Sequence, residues 1–380
     1  ARQQTTARTG SDWHKQMSPA PRAERACRPP RRLRMRPPRL PLVALLAAPP
    51  PRIQPRMVSA ASASRFELEL LAPARLSLFL RILRRHDDGF HDSASLFQAV
   101  DVGDTLRLAR IPGDRSAAAG VVRPSRTAEP VKQNVEFSAS PAELPQLPMD
   151  ETNSVVRALT LYRKKLAARD GGSFAVPRFR AHLVKRLPVG GGLGGAASDA
   201  AAALLGANEL CGGLASPAEL HAWGSELGGD VAAFLSASGA ALCTGRSPFL
   251  RADAAAPLPP LAPLAEEESL FVVSPAVELS VPALFRSLDY GALSSAPPDS
   301  LLASLSAQLQ RTGTLGRPTN DLEEAALRLS PPLTAVRGRL LQAEGMRAAA
   351  VSGAGPALFA VGTPRGGETA DAFAARFAAE

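Results

Sequence analysis

The sequence predicts an α+β protein organised as two domains. Three observations carry that expectation. Strand-like alternation and helix-like repeats are interspersed, in two groups either side of a proline-rich linker at residues 257–263. A glycine-rich turn stands between a strand and a helix in the first group, at Leu187-Pro188-Val189-Gly190-Gly191-Gly192-Leu193-Gly194-Gly195-Ala196-Ala197-Ser198-Asp199. The charge is also unevenly spread. Residues 1–64 hold twelve Arg, one Lys and two acids, Asp12 and Glu24, a net of +11. The whole chain carries +9, so residues 65–380 carry −2.

That division disposes of one function class. A pI near 10.3 suggests nucleic acid, but the body is close to neutral and the basic charge is confined to one end. The end segment is rich in Arg, Ala, Ser and Pro and almost free of acids, as transit peptides are. Within it, Met35-Arg36-Pro37-Pro38-Arg39 precedes the apolar run 40–48, in the manner of a signal-peptide n-region and h-region. The run is too short to span a bilayer. The expectation is a targeting or disordered segment over 1–64, delivery to a plastid stroma, and no membrane association of the mature form. The alternative is an Arg/Pro-rich tail with no address. Cys27, Cys211 and Cys243 lie far apart and suggest neither a disulfide framework nor a metal site.

From residue 65 the elements follow in order. Residues 65–70 alternate as a strand and 76–83 read as a second one, ended by the turn signal Asp87-Asp88-Gly89. Residues 112–130 are Gly/Pro/Ser/Arg-rich and read as a surface loop. Residues 152–166 are helical, with Thr152 as candidate cap, and Asp170-Gly171-Gly172 ends that unit. A strand runs from about 177 into the glycine turn, and 200–210 form the helix after it. Ser216-Pro217-Ala218-Glu219 is a capping box with Pro at the first helical position. That helix ends near Gly228-Gly229, Asp230 opens a short one over 231–235, and 239–244 form a strand. Past the linker, 269–273 is a strand and 281–288 a helix. Residues 320–329 and 331–343 are helices, 347–351 and 357–361 form a hairpin around Ser352-Gly353-Ala354-Gly355, and 368–377 close as a helix.

The glycine turn is where the chemistry points. Backbone N–H groups without side chains can approach a phosphate closely, and the following helix adds partial positive charge. No Lys follows the glycines, so this is not a Walker-type loop, and the Pro with three consecutive glycines departs from the dinucleotide fingerprint. The turn by itself reads as a phosphate site for a nucleotide. The plain alternative is a flexible linker, which the flanking strand and helix argue against.

Three segments taken together resemble the GHMP kinases: Pro73-Ala74-Arg75-Leu76-Ser77-Leu78, the glycine turn, and Ser352-Gly353-Ala354-Gly355. Asp88-Gly89-Phe90-His91, Leu96-Phe97-Gln98, Leu227-Gly228-Gly229-Asp230-Val231 and Asn320-Asp321-Leu322-Glu323 narrow the resemblance to the branch that phosphorylates a diphosphocytidyl-methylerythritol in non-mevalonate isoprenoid synthesis. It covers about residues 65–377. It implies a ribosomal-protein-S5-like nucleotide domain over 65–262 and a ferredoxin-like α/β domain over 263–380. It also implies ATP with Mg2+, a small-molecule acceptor, no nucleic acid partner, and a monomer or homodimer.

Site residues follow from the same resemblance. Asp230 is implied as general base; the plain reading of such an Asp is a helix cap. Arg75 stands where the family has a catalytic Lys; it keeps the positive charge but is bulkier and does not give up its proton. Ser77 takes the place of a substrate-holding Asn. Pro188, Gly190, Gly191, Gly192, Leu193, Gly194, Gly195 and Ser198 are implied on the ATP phosphates, with Lys185 and Asn153 on the nucleotide side. For Lys185 the plain alternative is a solvated strand charge. Phe90, His91, Pro282 and Phe285 are implied at the cytidine end, where two aromatic rings can stack on a base and His91 can bond its edge. For an isolated Phe, ordinary core packing is the competing reading. Other kinases of the superfamily, of mevalonate or homoserine type, and an impaired nucleotide-binding paralogue remain the alternatives.

Overall fold

In the computed structural model the two expected strands at 65–70 and 76–83 are one long strand, β3 (Leu68–Arg85). Pro73 does not end it. A ladder irregularity at Pro73/Ala74 absorbs the missing N–H, and others follow at Ser77/Phe79 and Ile82/Arg84. The structure describes residues 42–46, 53–57, 65–111, 135–141, 144, 146–169, 177–247, 251–252, 258–366 and 368–379. The expected loop at 112–130, the Asp170-Gly171-Gly172 stop and most of the basic segment lie outside them.

The partner of β3 is β4 (His91–Ile111), antiparallel along its whole length. Next come β6 (Arg178–Val184) and, parallel to it, β5 (Val135–Ser140). The far end of β4 also pairs with β7 (Ala240–Ser247), which carries the short β8 (Arg251–Ala252). Helices α1 (Ser154–Arg169), α2 (Gly195–Leu210) and α3 (Pro217–Leu227) cover one face. Leu68, Leu70, Leu106, Leu108, Tyr162 and Phe179 form the core there with the alanines of α2. Alanine lets α2 pack tightly on the sheet, and Gly206 is closer still: a Cβ there would stand 2.4 Å from a Leu108 methyl carbon.

A second sheet is ordered β1 (Leu42–Leu46), β9 (Ser269–Val273), β12 (Leu358–Gly362), β11 (Met346–Val351), all antiparallel. Its helices are α5 (Val281–Arg286), α6 (Pro298–Thr312), α7 (Glu323–Leu329), α8 (Pro331–Gln342) and α9 (Ala370–Ala379). Leu76, Phe79 and Leu96 from the first sheet pack with Leu270, Val272 and Phe359 from the second, so one core joins them. Residues 39–380 form one unit by contacts.

Some expectations change. The apolar run at 40–48 contains β1, which covers the edge of β9, and β2 (Pro55–Met57) adds to β3. Ile53 is buried in the first core. A short apolar run can pair as a strand as well as serve as a leader, and periodicity alone does not separate the two. The cap of α1 is Asn153, not Thr152: its Oδ1 accepts Val155 N–H at 2.9 Å. The helix expected from 320 begins at Glu323, because Thr319–Asn320 is instead a strand, β10, parallel to β3. Helix α6 was not anticipated. The capping box at Ser216 and Glu219 is present as expected. No helix among the described residues is long and apolar enough to cross a membrane.

Candidate active site

The irregularities in β3 fall where the strand must present polar groups. Arg75 N–H donates to the carbonyl of Leu193 at 2.8 Å, so the strand is tied to the glycine turn rather than only to its ladder. Ser77 N–H donates to Ser352 Oγ at 3.0 Å and ties it to the third motif. The turn reaches the same motif directly. Gly192 has φ +77°, and a Cβ on it would lie 2.3 Å from the carbonyl oxygen of Gly355. Only glycine allows both that conformation and that approach. Three segments separated by more than a hundred residues are thus brought to one place, as the resemblance implies.

At that place Arg75 Nη2 donates to Asp230 Oδ2 at 2.9 Å, and Nη1 donates to Ser77 Oγ at 3.3 Å. Asp230 comes from the first turn of α4 (Gly229–Phe234). Its carboxylate is one-third exposed and Arg75 less so, so the pair is open on the carboxylate side. The guanidinium lies over the ring of Phe97, 4.1 Å from its centroid, which orients it face-on. Phe97 belongs to the Leu96-Phe97-Gln98 segment, whose role the sequence alone leaves unassigned. A cleft of about 260 Å³ opens beside Asp230, lined by Ser154, Arg157, Ala196, Ala197, Ala200 and Gly228 among others. It brings the first turn of α2 and a second cation, Arg157, next to the carboxylate. Arg157 was invisible in the sequence, where it is one charge on a helix.

The glycine turn rests on a buried ionic cluster. Lys185 Nζ donates to Asp104 Oδ2 at 2.5 Å and to Asp199 Oδ2 at 3.1 Å. Asp104 Oδ1 accepts the N–H groups of Arg186 at 2.6 Å and Leu187 at 2.8 Å, fixing the entry to the turn. Burial alone would lower the Lys185 pKa, but the two carboxylates outweigh it and the net shift is upward. Burial raises the Asp199 carboxyl, against the pull of Lys185. Lys185, expected on the nucleotide side, is therefore held beneath the turn: its ammonium already has two carboxylate partners in a dry site. Asn153 is likewise buried, and its side chain caps α1 through Oδ1 and donates through Nδ2 to the carbonyl of Pro148. Neither buried polar group can be left unpaired cheaply, which accounts for both positions. Ser198 is different. Its Oγ is buried at the helix end of the turn and has no hydrogen-bond partner among the described residues.

The other end of the site is aromatic. The ring of His91 stacks on Phe285, with centroids 4.6 Å apart and planes 19° apart. His91 Nε2 is hydrogen-bonded to the hydroxyl of Tyr290. Burial, then the charges of Arg85 and His86, lower the His91 pKa and favour the neutral ring. Pro282 opens α5 and is exposed. Phe90 is exposed and lies beneath the Arg246 guanidinium, 4.6 Å from its ring centroid. The structure thus joins His91 and Phe285 and adds Tyr290, which no sequence motif marks.

The fourth segment, Asn320-Asp321-Leu322-Glu323, is a clamp. Asn320 Nδ2 donates to the carbonyls of Val351 and Gly353, both at 2.8 Å. Asp321 forms a buried pair with Arg81 and accepts from Ile82 N–H at 2.7 Å and Ser294 N–H at 3.3 Å. Glu323 accepts from Val351 N–H at 3.1 Å and pairs with Arg337.

Known proteins resemble this chain. The profile of GHMP kinases N terminal domain matches residues 153–238, and that of GHMP kinases C terminal matches 300–379. A chloroplastic 4-diphosphocytidyl-2-C-methyl-D-erythritol kinase of Arabidopsis thaliana is 33% identical over 78% of this chain and 68% of its own. A rice counterpart is 32% identical, with 65% of its own length covered, so the chain spans about two thirds of the plant relatives. A bacterial one from Protochlamydia amoebophila is 31% identical over 83% of this chain and 91% of its own. A crystal structure of 4-(cytidine 5'-diphospho)-2C-methyl-D-erythritol kinase matches with a TM-score of 0.56 and 27% identity, covering 82% of this chain and 93% of that one.

Proposed function

The chain belongs to the GHMP kinases, and within them to the 4-diphosphocytidyl-2-C-methyl-D-erythritol kinase family, and from that premise we propose that it transfers the γ-phosphoryl group of ATP to the 2-hydroxyl of 4-diphosphocytidyl-2-C-methyl-D-erythritol. The observation that carries the reading is the Arg75–Asp230 pair, set where the three motif segments meet. Phosphoryl transfer needs positioning and charge neutralisation more than covalent chemistry. Asp230 accepts the proton of the acceptor hydroxyl as its oxygen bonds to the γ-phosphorus, and the bond to the bridging oxygen breaks to release ADP. Arg75 steadies the negative charge that gathers on the transferring group. It holds its proton throughout, so Asp230 is the group that takes one up. The N–H groups of the glycine turn and of the first turn of α2 face the phosphates.

The unpartnered Ser198 Oγ is a hard oxygen donor at the helix end of the turn and suits Mg2+. When bound, Mg2+ neutralises phosphate charge. His91 and Phe285 receive the cytosine ring, with Phe90 and Pro282 at the rim. On this reading residues 65–262 form the nucleotide domain and 263–380 the second one. The basic segment delivers the enzyme to a plastid, as the names of the plant relatives suggest for them. Release of ADP from the full chain, coupled to NADH oxidation, tests the reading. Turnover is expected with the diphosphocytidyl acceptor and not with mevalonate or homoserine. Preference for either of those overturns it. Inactivity with all three favours an impaired paralogue, for which Arg75 in place of Lys is the motive.

A further inference from the structure

Tyr290 occupies a position that no motif or family resemblance marks, yet it makes the single side-chain hydrogen bond described for the His91 ring. Its own placement is firmly determined. It begins a 3-10 turn (Tyr290–Ala292) whose start is capped by Asp289, with Oδ1 accepting Gly291 N–H at 3.0 Å. The chain beyond is held by the buried Arg81–Asp321 pair. Arg81 donates to the carbonyls of Ser294 and Ala296, and Asp321 accepts Ser294 N–H. The Arg85 guanidinium lies over the Tyr290 ring, 5.3 Å from its centroid. A cation over a phenol draws electron density from the ring and makes the hydroxyl a better donor.

We propose that Tyr290 determines base specificity by donating its hydroxyl proton to His91 Nε2, which fixes the neutral imidazole as the Nδ1–H tautomer. A neutral imidazole carries one donor and one acceptor, and its neighbours choose which nitrogen holds the proton. With Nε2 taken as acceptor, His91 has only a donor left to offer. A donor aimed at N3 matches the N3 acceptor of cytosine and opposes the N3–H of uracil, whereas the O2 acceptor is common to both bases. The ring that makes the choice is already stacked on Phe285, so the same side chain sets both the stacking plane and the hydrogen-bond pattern. Such a site rejects the mismatched base because a buried polar group would be left without a partner. The inference deepens the cytidine reading given above and rests on it for the identity of the base.

The test combines spectroscopy with binding. The full chain is labelled with 15N-histidine, and the His91 resonances are assigned by their loss in His91→Asn. The wild type should show the Nδ1–H tautomer, and Tyr290→Phe a mixture of both. Calorimetry with CDP and UDP should show CDP preferred by the wild type. Tyr290→Phe should reduce that preference about fivefold, with ATP affinity unchanged, as expected for loss of one hydrogen bond. An Nε2–H tautomer in the wild type, or an unchanged CDP preference in Tyr290→Phe, overturns the proposal. A chain that binds CDP with this discrimination but transfers no phosphate refutes the kinase reading and leaves the role of Tyr290 standing.

Discussion

The two ends of the site are built in different ways. At the transfer end, side chains are fixed by backbone: β3 is bonded to the glycine turn and to Ser352, and the turn sits on the buried Lys185–Asp104–Asp199 cluster. At the base end, side chains fix one another. His91 is held by Phe285 and Tyr290, and Tyr290 stands on a short turn at the surface. A centre that must align reacting atoms is embedded in the fold. A pocket that recognises a flat ring needs only a few side chains on a firm support. Changes at the first end should therefore unfold the chain or stop turnover, and changes at the second should alter affinity for one substrate.

The largest effect is expected at the ionic cluster. Lys185→Met leaves the buried Asp104 and Asp199 without their shared cationic partner and should lower stability by about 3–5 kcal/mol in urea unfolding. A smaller effect would show that the cluster is wetter than it looks. The cluster also sets a pH dependence. Burial raises Asp199 in the folded chain, so folding favours its protonated form. The associated stability is fully present below the ordinary carboxylate range and lost as pH rises through the raised value. Asp199→Asn should flatten the slope of unfolding free energy measured from about pH 5 to about pH 8.

Next comes Asp230→Asn. It keeps the size of the side chain and should cut kcat about 10²-fold or more while both KM values move little. A variant that loses ATP binding instead would place Asp230 among structural contacts. At the base end, Phe285→Ala should weaken the diphosphocytidyl substrate by about 1–3 kcal/mol and spare ATP, read as a change in one KM only. If both KM values rise together, the two ends are not separable. Phe90→Ala should have the smallest effect, within about 0.5 kcal/mol on either substrate, because the ring is exposed and touches Arg246. A loss equal to that of Phe285→Ala would restore Phe90 as a full stacking partner.

The sequence was most legible where backbone conformation restricts residue choice. The glycine turn, the capping box at Ser216 and the hairpin around Ser352 each need particular residues, and each was found. Helix α6 was missed because Pro298-Asp299 is a weak start beside so many other prolines. Lys185 and Asn153 show one limit of the sequence. Sequence shows that a polar residue is present but not whether it is buried with partners. Asp104 and Asp199 show the same limit from the other side, since nothing local marks two acids 95 positions apart as one cluster. Tyr290 is silent in the sequence because a single aromatic in a turn has no period to reveal it.

The Asn320–Glu323 clamp has a consequence for how such a chain can change over generations. Asp321 alone answers to Arg81, to the backbone of Ile82 and to Ser294, while Asn320 answers to the third glycine motif. No single replacement can satisfy so many claims at once, so variation at these positions is closed unless several partners change together. The rim around Phe90 carries no such obligations. Natural drift, and escape from any inhibitor that presses on the pocket, should accumulate there and leave the clamp untouched.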